Sequence, residues 1–381
     1  MASGFWGDPV GARAAAEECR DLADALGDRF TSWNSRMWLG IAVYMLGDLD
    51  EAGRVFLPLA EEGAATGDPS MTFFGNIGLA RVHTYQGRPG PARACGETAM
   101  AAATAMGGFN EDVTYVVLAN AALAGGDGLA AKEACEASWR HTVAQRAVFI
   151  RSLNPMPEAL LACGELVAAR RWADDTVAMV PGWHKMVALM ARAHIALAQG
   201  EPEQAERDAH DALVIAAHTH GFLRLPDIVE CLARLAAGDG NNQNVARLFG
   251  AADAVRQRIG VARFAVDQAG YDAAITSIRD ALGVGAFDAA RAEGAALSIE
   301  EAIAYAQRGR GERKRPTSGW ESLTPTERDV VRLVSEGLAN KDIATRLFIS
   351  PRTVQTHLTH VYTKLDLASR VQLVQEAARH G

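Results

Sequence analysis

Aromatic residues are scarce in this sequence, and long apolar runs are missing. Aromatic side chains make up 7% of the 381 positions, although hydrophobic residues as a whole make up 49%. This composition, with its many alanines, favours closely packed helices over sheets. No run approaches the roughly 18 apolar residues that span a membrane, so no membrane contact is predicted.

The sequence also lacks the signals of export and of disulfide bonding. The first 27 residues have no basic segment followed by an apolar core, so no secretory signal is predicted. The cysteines never occur as C-x-x-C and lie far apart, which predicts reduced thiols in a cytoplasmic protein. They are Cys19, Cys95, Cys135, Cys163 and Cys231.

Catalytic and nucleotide-binding motifs are missing as well. The sequence has no G-x-x-x-x-G-K-[ST], no G-x-S-x-G and no H-E-x-x-H, so neither an enzyme nor a cofactor is predicted. The best metal candidates are His210, His218 and His220. Because residues two apart on a helix point in different directions, no metal site is predicted there either.

Charge is divided unevenly along the chain. Residues 308–381 contain 13 Lys and Arg against 8 Asp and Glu, a net charge of +5, within a chain of net charge −8. The first 307 residues therefore have a net charge of −13. An acidic body with a small basic end is expected when only that end meets a polyanion.

Period-3.6 hydrophobic patterning extends almost without interruption from Ala12 to Gln307, and strand-like alternation is nearly absent. Glycines recur about every 36–40 residues, and an alanine follows each after five positions. This spacing predicts helix pairs that turn at glycine and stack into a solenoid. The glycine and alanine pairs are Gly47 and Ala52, Gly87 and Ala92, Gly126 and Ala131, Gly164 and Ala169, and Gly200 and Ala205.

One unit, WLGIAVYMLGDLDEAGRVFLPLA, resembles a tetratricopeptide repeat, because Gly40, Gly47, Ala52 and Phe56 fall at that family's small and aromatic positions. Residues 1–307 are therefore predicted to form a TPR-like helical repeat domain. Its concave surface would either bind a peptide or effector, or serve only for spacing and dimer contacts. Near its end, Ser298 lies three residues before Glu301, the spacing of a capping box.

Residues 308–322 contain Gly, Arg and Lys in abundance and show no apolar periodicity. The segment is predicted to be a basic flexible linker. Its basic residues could also contact phosphate groups.

Residues 323–381 are predicted to form a small domain of four helices. Thr324 can cap a first helix that begins at Pro325 and ends near Gly337, and Asn340 can cap a short second helix that ends at Leu347. Ser350 can cap a third helix, 351–365, with Pro351 at its first position. The sequence SRVQLVQEAARHG supplies the fourth.

The third helix has one apolar and one polar side. At 100° per residue, Val354, Leu358, Val361 and Leu365 fall within a narrow arc that must be the core side. The opposite side consists of Arg352, Thr356, Thr359 and Thr363, flanked by Gln355 and His360. A short helix, a tight turn and a polar-faced second helix, about 340–359, form a helix-turn-helix motif, whose second helix enters the DNA major groove.

The segment LTPTERDVVRLVSEGLANKDIATRLFISPRTVQTHLTHVYTKLDLASRVQLVQEA resembles the LuxR-type (GerE/NarL-like) DNA-binding domain over its whole length. The matching elements are L-T-x-x-E, E-G-x-x-N-K-x-I-A, I-S-x-x-T-V-x-x-H, and K-L followed by S-R. The resemblance implies a four-helix helix-turn-helix domain. Together with the repeat spacing, this predicts an all-α protein, a TPR-like α-solenoid followed by that domain. It also implies a homodimer, formed largely through the last helix, on a pseudo-palindromic site in double-stranded DNA.

The resemblance also implies roles for individual residues. Gln355, Thr356 and Thr359 match base-reading positions. The positions expected to contact phosphate are Lys341, Arg352, Thr353, His360 and Lys364. Many relatives have Lys where this chain has Gln355, and an amide suits adenine better than guanine.

The whole chain resembles the C-terminal part of large LuxR-family regulators that contain an ATPase domain. Because no P-loop occurs here, the signal that would gate DNA binding is a partner, a small ligand in the helical repeats, or neither. The prediction is a cytoplasmic bacterial transcription regulator. The alternative is an interaction scaffold whose terminal domain mediates assembly rather than DNA reading.

Overall fold

A computed structural model describes residues 8–145, 151, 153–237, 241–312, 319–323, 325–347, 351–367 and 369–380. These residues form helices and connecting turns without a strand, which confirms the all-α prediction. The chain divides into two compact units, Met1–Gln307 and Arg308–Gly381. The first is built around one large and one smaller apolar core, and the second has its own core. None of the described helices is long and apolar enough to cross a membrane.

The first unit is a succession of helices joined by short turns, consistent with the predicted solenoid. In chain order they are α1 (Pro9–Leu26), α2 (Arg29–Leu46), α3 (Leu49–Thr66), α4 (Pro69–Tyr85), α5 (Pro89–Ala105), α6 (Glu111–Gly125), α7 (Gly128–Gln145), α8 (Met156–Ala162), α9 (Leu166–Met179), α10 (Gly182–Gln199), α11 (Pro202–Thr219), α12 (Leu225–Ala236), α13 (Asn242–Arg258), α14 (Ala265–Leu282), α15 (Val284–Ala295) and α16 (Ile299–Glu312).

The turns between the early helices are set by a Gly-Asp pair. Gly27, Gly47 and Gly67 adopt positive φ angles and end α1, α2 and α3, a conformation that costs glycine little. The aspartate that follows each glycine accepts a backbone N–H from the first turn of the next helix. The pairs recur every 20 residues, so the sequence marks single helices as well as the predicted helix pairs.

The predicted repeat register is confirmed. All five turn glycines have positive φ, and the five paired alanines are at most 1% exposed. The ring of Phe56 on α3 is buried against Gly40 on α2 and Gly78 on α4, where a Cβ atom would overlap it. Small residues therefore allow three consecutive helices to approach closely around one aromatic ring.

The later helices fold back onto the earlier ones. Helix α14 packs against α6, and the N–H of Ala262 donates to the carbonyl of Tyr85 over 2.6 Å. Helices α13 and α15 pack so closely that Gly250 and Gly294 contact the partner helix's backbone. The repeats therefore surround an interior that later segments of the same chain help to close.

The predicted capping box of α16 is confirmed. The N–H of Ser298 donates to Glu301 over 2.8 Å, and the N–H of Glu301 donates to the Ser298 hydroxyl over 3.1 Å. The helix continues to Glu312, five residues into the segment predicted as a linker. At that segment's other end, a 3-10 turn spans Trp320–Ser322, and Trp320 packs against the core of the second unit.

The four helices of the second unit begin and end close to their predicted bounds. They are α17 (Pro325–Ser335), α18 (Asn340–Leu347), α19 (Pro351–Leu365) and α20 (Arg370–His380). Gly337, just after α17, has a φ of 84°. The predicted caps Thr324 and Ser350 lie outside the described residues.

Candidate nucleic-acid interface

An apolar stripe orients α19. Val354, Leu358 and Val361 are at most 2% exposed, and Leu365 packs against the same core. The side chains of Ile343 and Ala344 on α18 contribute to that core too. Because the core holds one side of α19, the opposite side must face outward.

The predicted base-reading residues lie on that outward side. Gln355, Thr356 and Thr359 are all exposed, as are His360 and Thr363. His357, between the core side and the exposed side, is half-buried. The orientation of the helix therefore agrees with the sequence prediction.

Gln355 is held by a second helix. Asn340 Nδ2 donates to Gln355 Oε1 over 3.0 Å, and Arg370 Nη1 donates to Asn340 Oδ1 over 3.0 Å. The Arg370 guanidinium also donates to the carbonyl of Leu338. This chain of contacts, the Arg370–Asn340–Gln355 network, connects α20, α18 and α19.

The network corrects the role predicted for Asn340. The carbonyl of Ala339 accepts the N–H groups of Asp342 and Ile343, so Ala339 occupies the cap position and Asn340 lies inside α18. An asparagine before an apolar-periodic segment is a good cap in isolation. Here Gln355 and Arg370 engage its amide instead.

Two threonines of the exposed side bond to their own helix. Thr359 donates to the carbonyl of Gln355 and Thr363 to that of Thr359, each over 3.0 Å. A hydroxyl has one proton. Thr359 therefore offers a base its oxygen lone pairs and its methyl group rather than a donor.

Two of the predicted phosphate contacts lie beside one buried carboxylate. Lys364 Nζ donates to Glu327 Oε2 over 2.7 Å, and His360 Nδ1 lies 4.0 Å from Glu327 Oε1. The Glu327 side chain is only 3% exposed. Lys364 thus has a structural partner that competes with a phosphate for its charge.

Of the other three predicted phosphate contacts, the structure describes the side chain of Lys341. Lys341 is exposed in the first turn of α18. The side chains of Arg352 and Thr353 lie outside the described residues.

Residues 321–377 match the family described as bacterial regulatory proteins, luxR family. The second unit is a LuxR-family helix-turn-helix domain. Shorter similarities agree: a stretch of 57 residues is 46% identical to the oxygen regulatory protein NreC of Staphylococcus haemolyticus, covering 15% of this chain and 26% of that protein. A stretch of 60 residues is 43% identical to the transcriptional regulatory protein LiaR of Bacillus subtilis, covering 16% of this chain and 28% of that protein.

Longer similarities extend beyond the LuxR-family domain. The chain is 52% identical over 375 residues to the HTH-type transcriptional regulator Rv0890c of Mycobacterium tuberculosis and, equally, to Mb0914c of Mycobacterium bovis. Each match covers 98% of this chain and 42% of the relative. The chain therefore spans about two fifths of the length of these relatives.

The sequence did not reveal three residues that shape this face of the LuxR-family domain. The sequence assigns Asn340 only a cap, Arg370 only a place in the S-R element, and Glu327 only a place in the L-T-x-x-E element. The matching family elements pointed to these positions, but their contacts join side chains 15, 30 and 37 positions apart. Elsewhere, the described residues contain no group of three or more His, Cys, Asp or Glu side chains that could hold a metal ion.

Proposed function

We propose that the chain is a DNA-binding transcription regulator that inserts α19, residues 351–365, into the major groove. The observation that supports this most directly is the orientation of α19, whose buried valines and leucine leave Gln355, Thr356 and Thr359 exposed on a LuxR-family domain. The relatives' names as HTH-type transcriptional regulators agree with a regulator rather than an enzyme. A regulator of this kind would act in the cytoplasm.

Base reading would depend on Gln355, Thr356 and Thr359. The amide of Gln355 suits adenine, whose major-groove edge offers one acceptor and one donor. Because Asn340 holds Oε1, the side chain is already fixed before DNA arrives, which reduces the entropy lost on binding.

Phosphate contacts would come from Lys341, Arg352, Thr353, His360 and Lys364. These residues belong to α18 and α19, the two helices of the helix-turn-helix motif. The net charge of +5 over residues 308–381 supports attraction to DNA, since the remainder of the chain is acidic.

The functional form would be a homodimer on a pseudo-palindromic site. Val371 and Val374 on α20 are exposed, by 68% and 37%, three positions apart on one side of the helix. Exposed apolar side chains of this kind are expected where a second copy packs. The helical repeats would sense a partner or a small ligand.

Selection of bound DNA from a random pool tests the proposal. Enrichment of a two-fold symmetric motif, bound with an affinity that falls steeply with salt, is the expected result. Lys341→Ala should weaken binding to all sequences alike. It should also reduce the slope of log affinity against log salt concentration by about one in magnitude. Thr356→Ala should instead relax sequence preference by roughly 1 kcal/mol.

Two outcomes would contradict the proposal. No enrichment and no salt-dependent binding would favour the interaction scaffold. Equal losses on selected and random DNA for Thr356→Ala would remove that residue from the base-reading set. For the dimer, Val371→Asp should weaken binding to the symmetric site, and Gln372→Asp, exposed on a different side of α20 from the two valines, is the matched control.

A further inference from the structure

The helical repeats enclose a cavity of about 440 Å³. Its lining comes from the first helix of each successive pair, α2, α4, α6, α8, α10 and α12, together with α9 and α14. The cavity therefore lies on the inner side of the repeats, where α14 closes it against α6. Its volume falls within the about 300–1,000 Å³ typical of small-molecule sites.

One part of the wall is apolar and aromatic. Such a surface favours the carbon skeleton of a ligand and excludes water from around polar groups. The side chains are Ile41, Val116, Leu123, Trp183, Val187 and Phe264.

An arginine without a counter-ion also lines the cavity. Arg81 forms no ion pair and no side-chain hydrogen bond with any described residue, and burial lowers its pKa. The acidic groups nearest to it are the phenol hydroxyls of Tyr44 and Tyr85, and phenols are weak acids. By contrast, Arg224 on the same wall pairs with Asp227 over 3.2 Å. A half-buried cation without a counter-ion is costly, so Arg81 is suited to an anion brought by a ligand.

Two carboxyl groups of the wall likewise have no counter-ion. Within the described parts of the chain, Glu158 and Asp267 form no ion pair and no hydrogen bond from another side chain. Burial raises the pKa of each, and Arg224 lowers both. Asp267 further raises the pKa of Glu158, and Asp227 further raises the pKa of Asp267. Arg234, also on the wall, lowers the pKa of Asp267 without forming an ion pair.

Two buried acids elsewhere in this unit, Asp208 and Glu230, are paired with arginines. Asp208 accepts two bonds from Arg192, and Glu230 accepts from Arg256 and Arg263. The cavity wall thus combines a cation, Arg81, with two carboxyl groups, Glu158 and Asp267, and none of the three has an ion-pair partner among the described residues. A simple anion would leave Glu158 and Asp267 unmatched, and a simple amine would leave Arg81 unmatched.

We propose that this cavity binds a small zwitterion, a molecule with a free amino group and a carboxylate on an apolar body, of the amino-acid or dipeptide class. The carboxylate pairs with Arg81, the ammonium group lies at Glu158 and Asp267, and the apolar body contacts the aromatic and aliphatic wall. This inference rests on the proposed function, since it names the ligand that the helical repeats sense.

Equilibrium dialysis of the full chain tests the inference. The probes are the 20 amino acids and a random dipeptide library, with retained species identified by mass spectrometry. The same library with N-acetylated amino termini, and again with amidated carboxyl termini, removes one charge at a time. The wild type should retain a subset of the free library, and each blocked library should bind at least about tenfold more weakly.

Variants locate the binding. Arg81→Met and Glu158→Gln should each reduce retention at least about tenfold. The matched controls are Arg93→Met and Glu97→Gln on α5, whose side chains are 72% and 68% exposed, and they should retain the ligand unchanged. Circular dichroism establishes that each variant is folded. If a cavity variant does not fold, the comparison of free and blocked libraries on the wild type still tests the inference.

The inference is overturned if the wild type retains no member of the free library, if blocked and free libraries bind equally, or if the folded cavity variants bind like the controls. The DNA selection described above, carried out on the same preparations, separates this failure from failure of the proposed function. Selected DNA without ligand retention would reject only the zwitterion. Ligand retention without DNA binding would reject only the regulator.

Discussion

At the scale of single residues, some polar side chains of the LuxR-family domain have two roles. They are proposed to contact DNA, and they also bond to other side chains of the domain. Gln355 is exposed for base reading and is held by Asn340, which Arg370 holds in turn. Lys364 is positioned near the same side and pairs with the buried carboxylate of Glu327. A substitution at either place therefore changes the support of the interface as well as its chemistry.

Arg370→Ala should relax base preference without abolishing binding. Loss of the guanidinium frees Asn340 and then Gln355 to change rotamer, so discrimination at the base that Gln355 contacts should fall by roughly 1 kcal/mol. Competition between the selected site and single-base variants of it measures the effect.

Arg379→Ala is the control for that experiment, because Arg379 is 73% exposed on the same helix and pairs only locally with Glu376. Uniform weakening on all sequences by Arg370→Ala would contradict the network's role and identify Arg370 as a general electrostatic contributor.

Lys364→Met should destabilise the domain more than it weakens DNA binding. The change leaves Glu327, 3% exposed, without its 2.7 Å partner, and removing one member of a buried ion pair costs several kcal/mol. Because Lys364 itself is 27% exposed, we expect a loss of about 1–3 kcal/mol in the free energy of unfolding, measured by urea denaturation.

The double variant Glu327→Gln with Lys364→Met tests that explanation, since it removes the buried charge together with its partner. It should recover much of the lost stability. Equal stability of the Lys364→Met variant and the wild type would show that the ion pair is energetically neutral.

At the scale of elements, small residues set how closely the helices of the repeats approach. The missing side chains of Gly40 and Gly78 leave room for the Phe56 ring between α2 and α4. Gly250 and Gly294 allow the backbones of α13 and α15 to approach each other closely. Glycine in a helix costs about 1 kcal/mol relative to alanine, so these positions exchange intrinsic helix stability for close packing.

Gly78→Ala should therefore lower the free energy of unfolding by about 1–3 kcal/mol, since the new methyl group overlaps the ring of Phe56. Gly90→Ala, in a helical turn with nothing within 4 Å of the new Cβ, should be neutral or stabilising. Thermal or urea unfolding compares the two. Equal effects at both positions would refute the packing argument.

At the scale of the whole molecule, an acidic helical-repeat unit and a basic LuxR-family domain share one chain. The repeat unit encloses polar groups that only its folded interior shields from water. Its stability should therefore depend on pH in a way that individual buried groups explain.

His194 lines the cavity, and burial lowers its pKa from 6.5 to about 4, with Arg234 and Arg224 lowering it and Asp227 and Glu230 raising it. Between pH 6.5 and 4 the unfolded chain binds this proton and the folded chain does not. The contribution of His194 to stability is therefore lost as pH falls through that range, by up to about 3 kcal/mol.

His194→Gln should flatten the pH dependence of the free energy of unfolding between pH 6.5 and 4. Glu158 and Asp267, whose raised pKa values act in the opposite direction, are unchanged in both proteins, so the difference between the two curves isolates His194. Urea unfolding followed by circular dichroism at a series of pH values measures it. Parallel curves would contradict the assignment.

Local sequence determined most of the architecture. Turn glycines, capping residues such as Ser298 with Glu301, and proline at first helical positions mark where helices begin and end, because these effects act within a few residues. The buried stripe of α19 followed from helical periodicity alone, since a domain with one small core leaves only one way for that helix to face.

Tertiary structure alone decided which polar side chains meet. Asn340 bonds to Gln355 and Arg370 instead of capping its own helix, and Lys364 pairs with Glu327. In the repeat unit, α14 closes the cavity that Arg81, Glu158 and Asp267 line. These side chains lie far apart along the chain, so no local pattern encodes their distances. The physical reason is that hydrophobic periodicity specifies which side of a helix is buried, whereas a hydrogen bond or ion pair depends on the position of two helices to within an ångström.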